Sequence, residues 1–243
     1  MGVEVSVDLD RTIDDAGHTV QVARGLELNQ RGNLRRLADA LAALWLALSS
    51  ADRHEDALVV AEEAVAIWRI LAEDPHERLY LATALDMLTA SLSYTEDQAF
   101  GTAADELLRL RAELANEASA ELAGSLIAVA DRHTALDQHA AARPLLEQAV
   151  ALRRQLVSTG VVEEFDLLVA LTGLRHCLSD LGEHERGLEV AAEAVRLART
   201  IPDLSPTDLA SVLLNLVDSL RTLRQDAEAD PLEAEATTLL RED

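Results

Sequence analysis

Five segments of the chain share one spacing of apolar residues. Each begins with a leucine, and further apolar residues stand four, seven and, in four of the five copies, eleven positions later. At 100° per residue these positions fall within a stripe roughly 60° wide, so each segment predicts one amphipathic helix. The first leucines, which we call the anchors, are 41 to 45 residues apart and are Leu37, Leu81, Leu122, Leu167 and Leu209.

A small residue stands twenty positions after every anchor. A longer side chain at such a site would hold two helix axes apart, so we expect two helices to pack closely there. Each unit is therefore predicted to be a helix, a tight turn and an antiparallel second helix. Gly182 is predicted to cap the C-terminal end of one of the first helices. The small residues are Ala57, Gly101, Ala142, Gly187 and Ala229.

This combination of leucines, a small residue at twenty and usually alanine at twenty-seven resembles the tetratricopeptide repeat. The usual repeat has about 34 residues, and the longer period here resembles the kinesin-light-chain type, in which the second helix is extended. The resemblance implies an all-α protein, a right-handed superhelical solenoid of about five antiparallel helix-turn-helix repeats. The period alone also suits HEAT or armadillo repeats, but the constant position of the small residues favours the tetratricopeptide type over these and over a bundle of unrelated helices.

The repeats divide the chain into a lead and five units. Residues 12–31 are predicted to form a helix that caps the first repeat, and they follow the alternating segment "VEVSVDLD", which we expect to be extended or disordered. The lead covers residues 1–33, and the repeats cover about 34–77, 78–118, 119–163, 164–205 and 206–243.

The last second helix has no polar cap after it in the sequence, and stacked repeats usually need one. We therefore expect Leu232, Leu239 and Leu240 to be poorly covered. Two explanations stay open: the chain is a piece of a longer protein, or this end is buried by self-association, which predicts a homodimer.

Composition narrows the class of partner. The net charge is -23, and all 21 basic residues are arginine, which together with abundant alanine suggests a GC-rich, bacterial gene. Such acidity argues against nucleic acid and anionic membranes, because both need basic patches to replace counterions. No apolar run approaches the ~20 residues of a membrane span, no signal peptide is evident, and the lone Cys177 excludes an internal disulfide. We expect a soluble, cytoplasmic protein.

Positions two, five, nine and twelve after each anchor point away from the leucine stripe, and in the resembling family they line the concave groove. Position nine holds Asp131, His176 and Asp218 in the last three repeats, so these residues should stand side by side. Such a row could be an acidic recognition surface, a metal site or a general-base centre. The recognition surface is favoured because no serine or cysteine nucleophile stands at a matching position.

The predicted function is a non-enzymatic scaffold, a module of a bacterial signalling or regulatory system, that binds a peptide or protein with basic side chains along an acidic groove. No nucleotide or hydrolase motif is present, so no cofactor is expected. Arg221 is the one basic residue placed on this face. The candidate partner-binding residues are Asp39, Asp86, Tyr94, Asp131, Thr172, His176, Asp218 and Arg221.

Overall fold

The computed structural model describes residues 2–94, 99–161 and 164–242; the boundary predicted after residue 163 lies partly outside them. Within this part of the chain all regular structure is helical. The 310 helix Pro75–Glu77 precedes α4, and the α-helices are α1 (Gly2–Arg24), α2 (Arg31–Ser50), α3 (His54–Leu71), α4 (Arg78–Ser93), α5 (Ala99–Glu113), α6 (Ala115–Ala135), α7 (His139–Ser158), α8 (Glu164–Asp180), α9 (His184–Ala198), α10 (Pro206–Thr222) and α11 (Asp226–Glu242).

The lead of the chain is helical, and the expectation of an extended or disordered start is wrong. Helix α1 begins at Gly2, ends at Arg24 and packs against α2. A strand needs a neighbouring strand for its backbone hydrogen bonds, whereas a helix satisfies them internally. The helix predicted over 12–31 also ends early, because Gly25 and the turn after it separate α1 from α2.

The helices form two compact units, residues 1–117 and 118–243, and each has its own apolar interior. In unit 1, consecutive helices within α1 to α5 pack against each other. In unit 2, consecutive helices within α7 to α11 do the same. The leucines four residues after the anchors are almost completely buried, and each fully buried leucine contributes about 1.5–3 kcal/mol. They are Leu41, Leu85, Leu126, Leu171 and Leu213.

Four of the five small residues lie in close helix contacts, and the fifth does not. Ala57, Ala142, Gly187 and Ala229 are buried, whereas Gly101 is exposed with no atom within 4 Å of a Cβ built on it. Phe100 is buried in the second hairpin instead. The buried positions of α5 are therefore shifted by one residue: Phe100, Ala104 and Leu107 stand one position earlier relative to their anchor than Ala57, Ala61 and Ala64 of α3 do.

The three-residue turns share one backbone geometry. Their middle residues have positive φ and are Asp52, Asp137, Gly182 and Arg224. In each turn the following N–H bonds to a carbonyl five residues back, as from Glu183 to Leu178 at 2.9 Å. This is the Schellman arrangement, which satisfies carbonyls at the end of the first helix and reverses the chain. Glycine was the visible signal at Gly182, whereas the other three turns use residues that rarely adopt this conformation.

Helix α11 is better covered than its sequence predicts. Leu232 and Leu239 are partly buried against the core of unit 2, so the expectation that they are poorly covered is wrong for these two. Leu240 fits the expectation, being 48% exposed. In the described part of the chain, no helix combines the length and apolar character needed to cross a membrane.

Candidate functional site

The candidate site is the exposed face of the first helices, which are α2 and α4 in unit 1 and α6, α8 and α10 in unit 2. We call the residues two, five, nine and twelve positions after each anchor the first-helix face. All of these residues are exposed or half-buried, while the leucine stripe behind them is buried except at Leu44 and Leu209, which are half-buried. Large apolar side chains stand among the polar ones on this face, the most exposed being Leu46, Val169 and Leu214.

Asp39 lies at the start of the unit 1 face, beside an ion pair. Arg35 forms that pair with Glu77, and its guanidinium carbon also lies 5.5 Å from the centre of the Tyr80 ring. Tyr80 in turn stacks on Trp68 with the ring centres 4.9 Å apart. Partial burial raises the pKa of the Asp39 carboxyl, Arg35 lowers it and Glu77 raises it further. Asp39 thus keeps a carboxylate that forms no ion pair of its own.

Asp86 is an ion-pair partner of an arginine that the sequence analysis did not single out. Arg111, on α5, is buried and contacts Asp86 through Nη2. Its Nε and Nη1 have no hydrogen-bond partner. Because the guanidinium neutralises Asp86 from below, this residue adds less negative potential to the face than its charge suggests.

Tyr94 directly follows α4 as its C-terminal cap and is 65% exposed. Its ring stacks on His54 at 3.8 Å between centres, with the planes 1° from parallel. Since His54 begins α3, the stack joins the turn ends of the first two hairpins. Tyr94 therefore offers one exposed aromatic face at the edge of unit 1.

In unit 2, two members of the predicted row of Asp131, His176 and Asp218 contact residues outside the row. His176 Nε2 lies 3.1 Å from the side-chain oxygen of Asn215, and Asp218 accepts a hydrogen bond from Arg175. Among the residues that the structure describes, no group of three His, Cys, Asp or Glu side chains is placed to hold a metal ion. The geometry therefore gives no support to the metal or general-base interpretations of this row.

Asp131 is the unpaired acid of the unit 2 face. Its side chain is exposed, and no described residue forms a hydrogen bond or ion pair with it. Nearby protein atoms still exclude some water, which raises the pKa of the Asp131 carboxyl. Thr172 contributes less, because its hydroxyl donates to the Leu168 carbonyl at 3.0 Å within α8.

Arg221 faces its own hairpin instead of a free groove. It lies within ion-pair distance of three acids of α11, at 3.9 Å from Asp226, 3.3 Å from Asp230 and closer still to Glu233. The one cation that the sequence analysis placed on this face is thus already neutralised.

The structure adds Arg153, which the sequence analysis did not assign to the site. This residue of α7 reaches toward α6, where a Cβ on Gly124 would lie 4.0 Å from Nη2. Its Nη1 lies 3.4 Å from Asp166 of α8, and its Nε has no hydrogen-bond partner. A sequence signal exists in Gly124, the one face position two residues after an anchor that lacks a side chain.

Many of the other arginines pair along the second helices, away from the first-helix faces. Three of them stand 32 residues after their anchors, and each meets a glutamate in the next hairpin. The pairs are Arg69–Glu106, Arg154–Glu193 and Arg199–Glu235. These arginines join successive hairpins, and they form no ion pair with Asp39 or Asp131.

These features define a helical-repeat protein with apolar and acidic side chains exposed on its first helices. Residues 122–160 match the tetratricopeptide repeat model. The solved structure of BtubC (BKLC) from P. vanneervenii superposes with a TM-score of 0.70 at 17% identity, covering 96% of this chain and 91% of BtubC. A putative kinesin light chain with nearly identical TPR-like repeats, from Podosopora anserina, gives 0.69 at 17% identity over 88% and 98%.

RapI in its apo form is also similar, with a TM-score of 0.63 at 11% identity over 97% of this chain and 66% of RapI. No curated protein matches the chain by sequence. The resemblance to tetratricopeptide repeats of the kinesin-light-chain type is thus confirmed, and so is the predicted class of an all-α helical-repeat solenoid.

Proposed function

We propose that the chain is a non-enzymatic interaction scaffold that binds a peptide or protein segment with basic side chains on its first-helix faces. The observation that carries this proposal is the pair of carboxylates, Asp39 and Asp131, that form no ion pair although 21 arginines are available. Unpaired carboxylates on a surface attract cationic side chains and accept charge-assisted hydrogen bonds.

Exposed apolar side chains beside these acids support the same proposal. Leu46 stands seven residues after Asp39 on α2 and is 61% exposed. In unit 2, Val169 and Leu214 are exposed on α8 and α10. Interfaces usually combine apolar contact area with polar groups that fix the partner. The partner segment should therefore carry apolar residues next to its basic ones.

The test is selection of a displayed library of random twelve-residue peptides on the immobilised protein. We expect Arg and Lys to be enriched over the unselected library, and the enrichment to fall in the double variant Asp39→Asn, Asp131→Asn. A matched control is Glu62→Gln with Glu189→Gln, which removes the same charge from exposed, unpaired acids of the second helices. Equal enrichment by the double variant and the wild type would contradict the proposal.

The acids substituted in this test should be those that form no structural contact. Asp86 and Asp218 hold buried arginines, so changing them alters stability as well as surface charge. His176 is tied to Asn215, and Arg221 to α11. Asp39 and Asp131 are the face residues whose substitution reports on recognition with the least structural consequence. The arginine-only, alanine-rich composition suggests a bacterial gene, and from the resemblance to tetratricopeptide repeats we also propose that the scaffold is a module of a signalling or regulatory system.

A further inference from the structure

We infer that Arg153 gives the first-helix face of unit 2 a position for a carboxylate, so that the partner segment carries an acidic group beside a basic one. This inference rests on the proposed function and specifies the partner further. It also changes the character of the face, since Arg153 supplies unit 2 with a cationic position that the sequence, which placed only Arg221 on this face, did not predict.

The guanidinium of Arg153 has fewer partners than it can use. Its single ion-pair contact is the 3.4 Å approach of Nη1 to Asp166, a side chain that is itself half-exposed. Nη2 has no hydrogen-bond partner among the described residues, and Nε is buried without one. An arginine offers five N–H donors, and unmet donors near the interior are costly. An incoming carboxylate can accept from Nη2, where the guanidinium meets the face.

Gly124 places no side chain over that part of the guanidinium, and the Arg153 side chain is 12% exposed. The other residues two positions after an anchor all carry side chains, namely Asp39, Thr83, Val169 and Ser211. A Cβ at Gly124 would stand 4.0 Å from Nη2, an ordinary contact, so packing does not demand glycine here. Glycine inside a helix costs about 1 kcal/mol relative to alanine. A larger side chain at this position would lie over Arg153 and cover it.

The equivalent position in unit 1 has different chemistry. Trp68 stands 31 residues after its anchor, as Arg153 does, and Tyr80 and Asp166 both immediately precede the next anchor. In unit 1 the two residues form an aromatic stack, and in unit 2 they form a long ion pair. The same scaffold position is therefore apolar in one unit and cationic in the other, which confines the carboxylate position to unit 2.

The distance between Gly124 and Asp131 along α6 sets the expected spacing between the acidic and the basic residue of the partner segment. Gly124 and Asp131 are seven residues apart on α6, which is about 10 Å along the helix and nearly the same direction around it. An extended peptide covers about 10 Å in three residues. We therefore expect an acidic residue about three positions from a basic one in the bound segment.

The experiment repeats the peptide selection on the wild type, on Arg153→Gln and on Gly124→Val. In wild-type pools Asp or Glu should be enriched two to four positions from Arg or Lys. Arg153→Gln should lose the acidic enrichment and keep the basic one. Gly124→Val keeps the arginine but covers Nη2, and it should behave in the same way. Thermal unfolding of both variants establishes that they are folded.

Affinity measurements on one selected peptide make the assignment to Arg153 quantitative. By fluorescence polarisation, changing the peptide's acidic residue to its amide should weaken wild-type binding about three- to tenfold. The same change should leave binding to Arg153→Gln unaltered. An equal loss with both proteins would overturn the role of Arg153.

The selection also separates the two proposals. Basic enrichment with no acidic residue at a fixed spacing overturns this inference and leaves the proposed function standing. Absence of basic enrichment on the wild type, or of any selected sequence, overturns both.

Discussion

Arg175 and Asp218 form an ion pair in which one partner is buried and the other stays in water. Nη2 of Arg175 donates to Oδ2 of Asp218 at 2.6 Å, and the two side chains are 6% and 68% exposed. Nη2 also donates to the Asn215 carbonyl at 2.9 Å, and Nε donates to Ser219 at 3.3 Å. The arginine thereby ties α8 to α10 beneath the first-helix face.

The asymmetry of this pair predicts unequal effects of removing either partner. Asp218→Ala leaves a buried guanidinium without its counter-charge, and we expect a loss of about 1–3 kcal/mol of unfolding free energy. Arg175→Met should cost less, because the methionine keeps the apolar contacts and the exposed Asp218 carboxylate is hydrated by solvent. Urea unfolding of the two variants measures both quantities. A larger loss for Arg175→Met than for Asp218→Ala would show that this account of the pair is incorrect.

Asp131 should behave in the opposite way to Asp218. Because partial burial raises the pKa of the Asp131 carboxyl, its protonated form is favoured in the folded protein. Its contribution to stability is therefore present at acid pH, below the pKa of the unfolded chain, and is lost as the pH rises through the folded pKa. We expect Asp131→Asn to be slightly more stable than the wild type at pH 7, with the difference vanishing below about pH 4.

Thermal unfolding midpoints of wild type and Asp131→Asn across this pH range check the expectation. Glu189→Gln is the control, since Glu189 is an exposed and unpaired acid of α9. Its midpoint difference from the wild type should not follow the same pH course. A destabilised Asp131→Asn at neutral pH would contradict the assignment of burial as the dominant effect on this carboxyl.

Much of the fold could be predicted from the sequence because apolar residues recur at a fixed spacing in every repeat. The leucines four residues after each anchor fill the interior, and the 3.6-residue helical turn determines that they lie on the buried side of each first helix. Gly101 shows where this reasoning fails. The spacing from the anchor places Gly101 at the helix contact, whereas α5 is rotated so that Phe100, one residue earlier, is buried there.

The candidate site was less predictable for a different reason. The sequence placed Asp86, Asp131 and Asp218 on the correct helices, but their electrostatic roles depend on long arginine side chains that reach them from other positions. Arg111 comes from a second helix and Arg175 from the neighbouring first helix. Position within one repeat does not specify which rotamer such a side chain adopts, so the sequence could not separate paired acids from unpaired ones.

The left-handed turn residues give a prediction for stability. Arg224 adopts φ 61°, a conformation that costs non-glycine residues about 1–2 kcal/mol. We expect Arg224→Gly to raise the unfolding free energy by up to about 1 kcal/mol, because Arg224 forms no ion pair that would be lost. Gly182→Ala is the reciprocal change at φ 74° and should lower it by about 1 kcal/mol. Chemical denaturation tests both, and a destabilised Arg224→Gly would rule out strain as the cause.

Cys177 provides a probe of how unit 2 opens. It is fully buried in α8, and its thiol donates to the His139 carbonyl at 3.3 Å. Burial raises the pKa of the thiol, and Asp180 raises it further, so the reactive thiolate is scarce in the folded protein. We expect an aromatic disulfide reagent to label native protein far more slowly than a free cysteine peptide, at a rate set by opening of the unit.

Two leucine variants of unit 2 test whether the labelling rate of Cys177 depends on the packing of the core. Leu171 is completely buried, and Leu171→Ala should cost about 2–5 kcal/mol. Since opening precedes labelling, the rate should rise at least tenfold. Leu240→Ala, at a half-exposed position, should leave the rate nearly unchanged. Labelling of the native wild type at the rate of the free peptide would mean that the thiol is accessible without opening, and the packing of α7 against α8 described above would then not hold in solution.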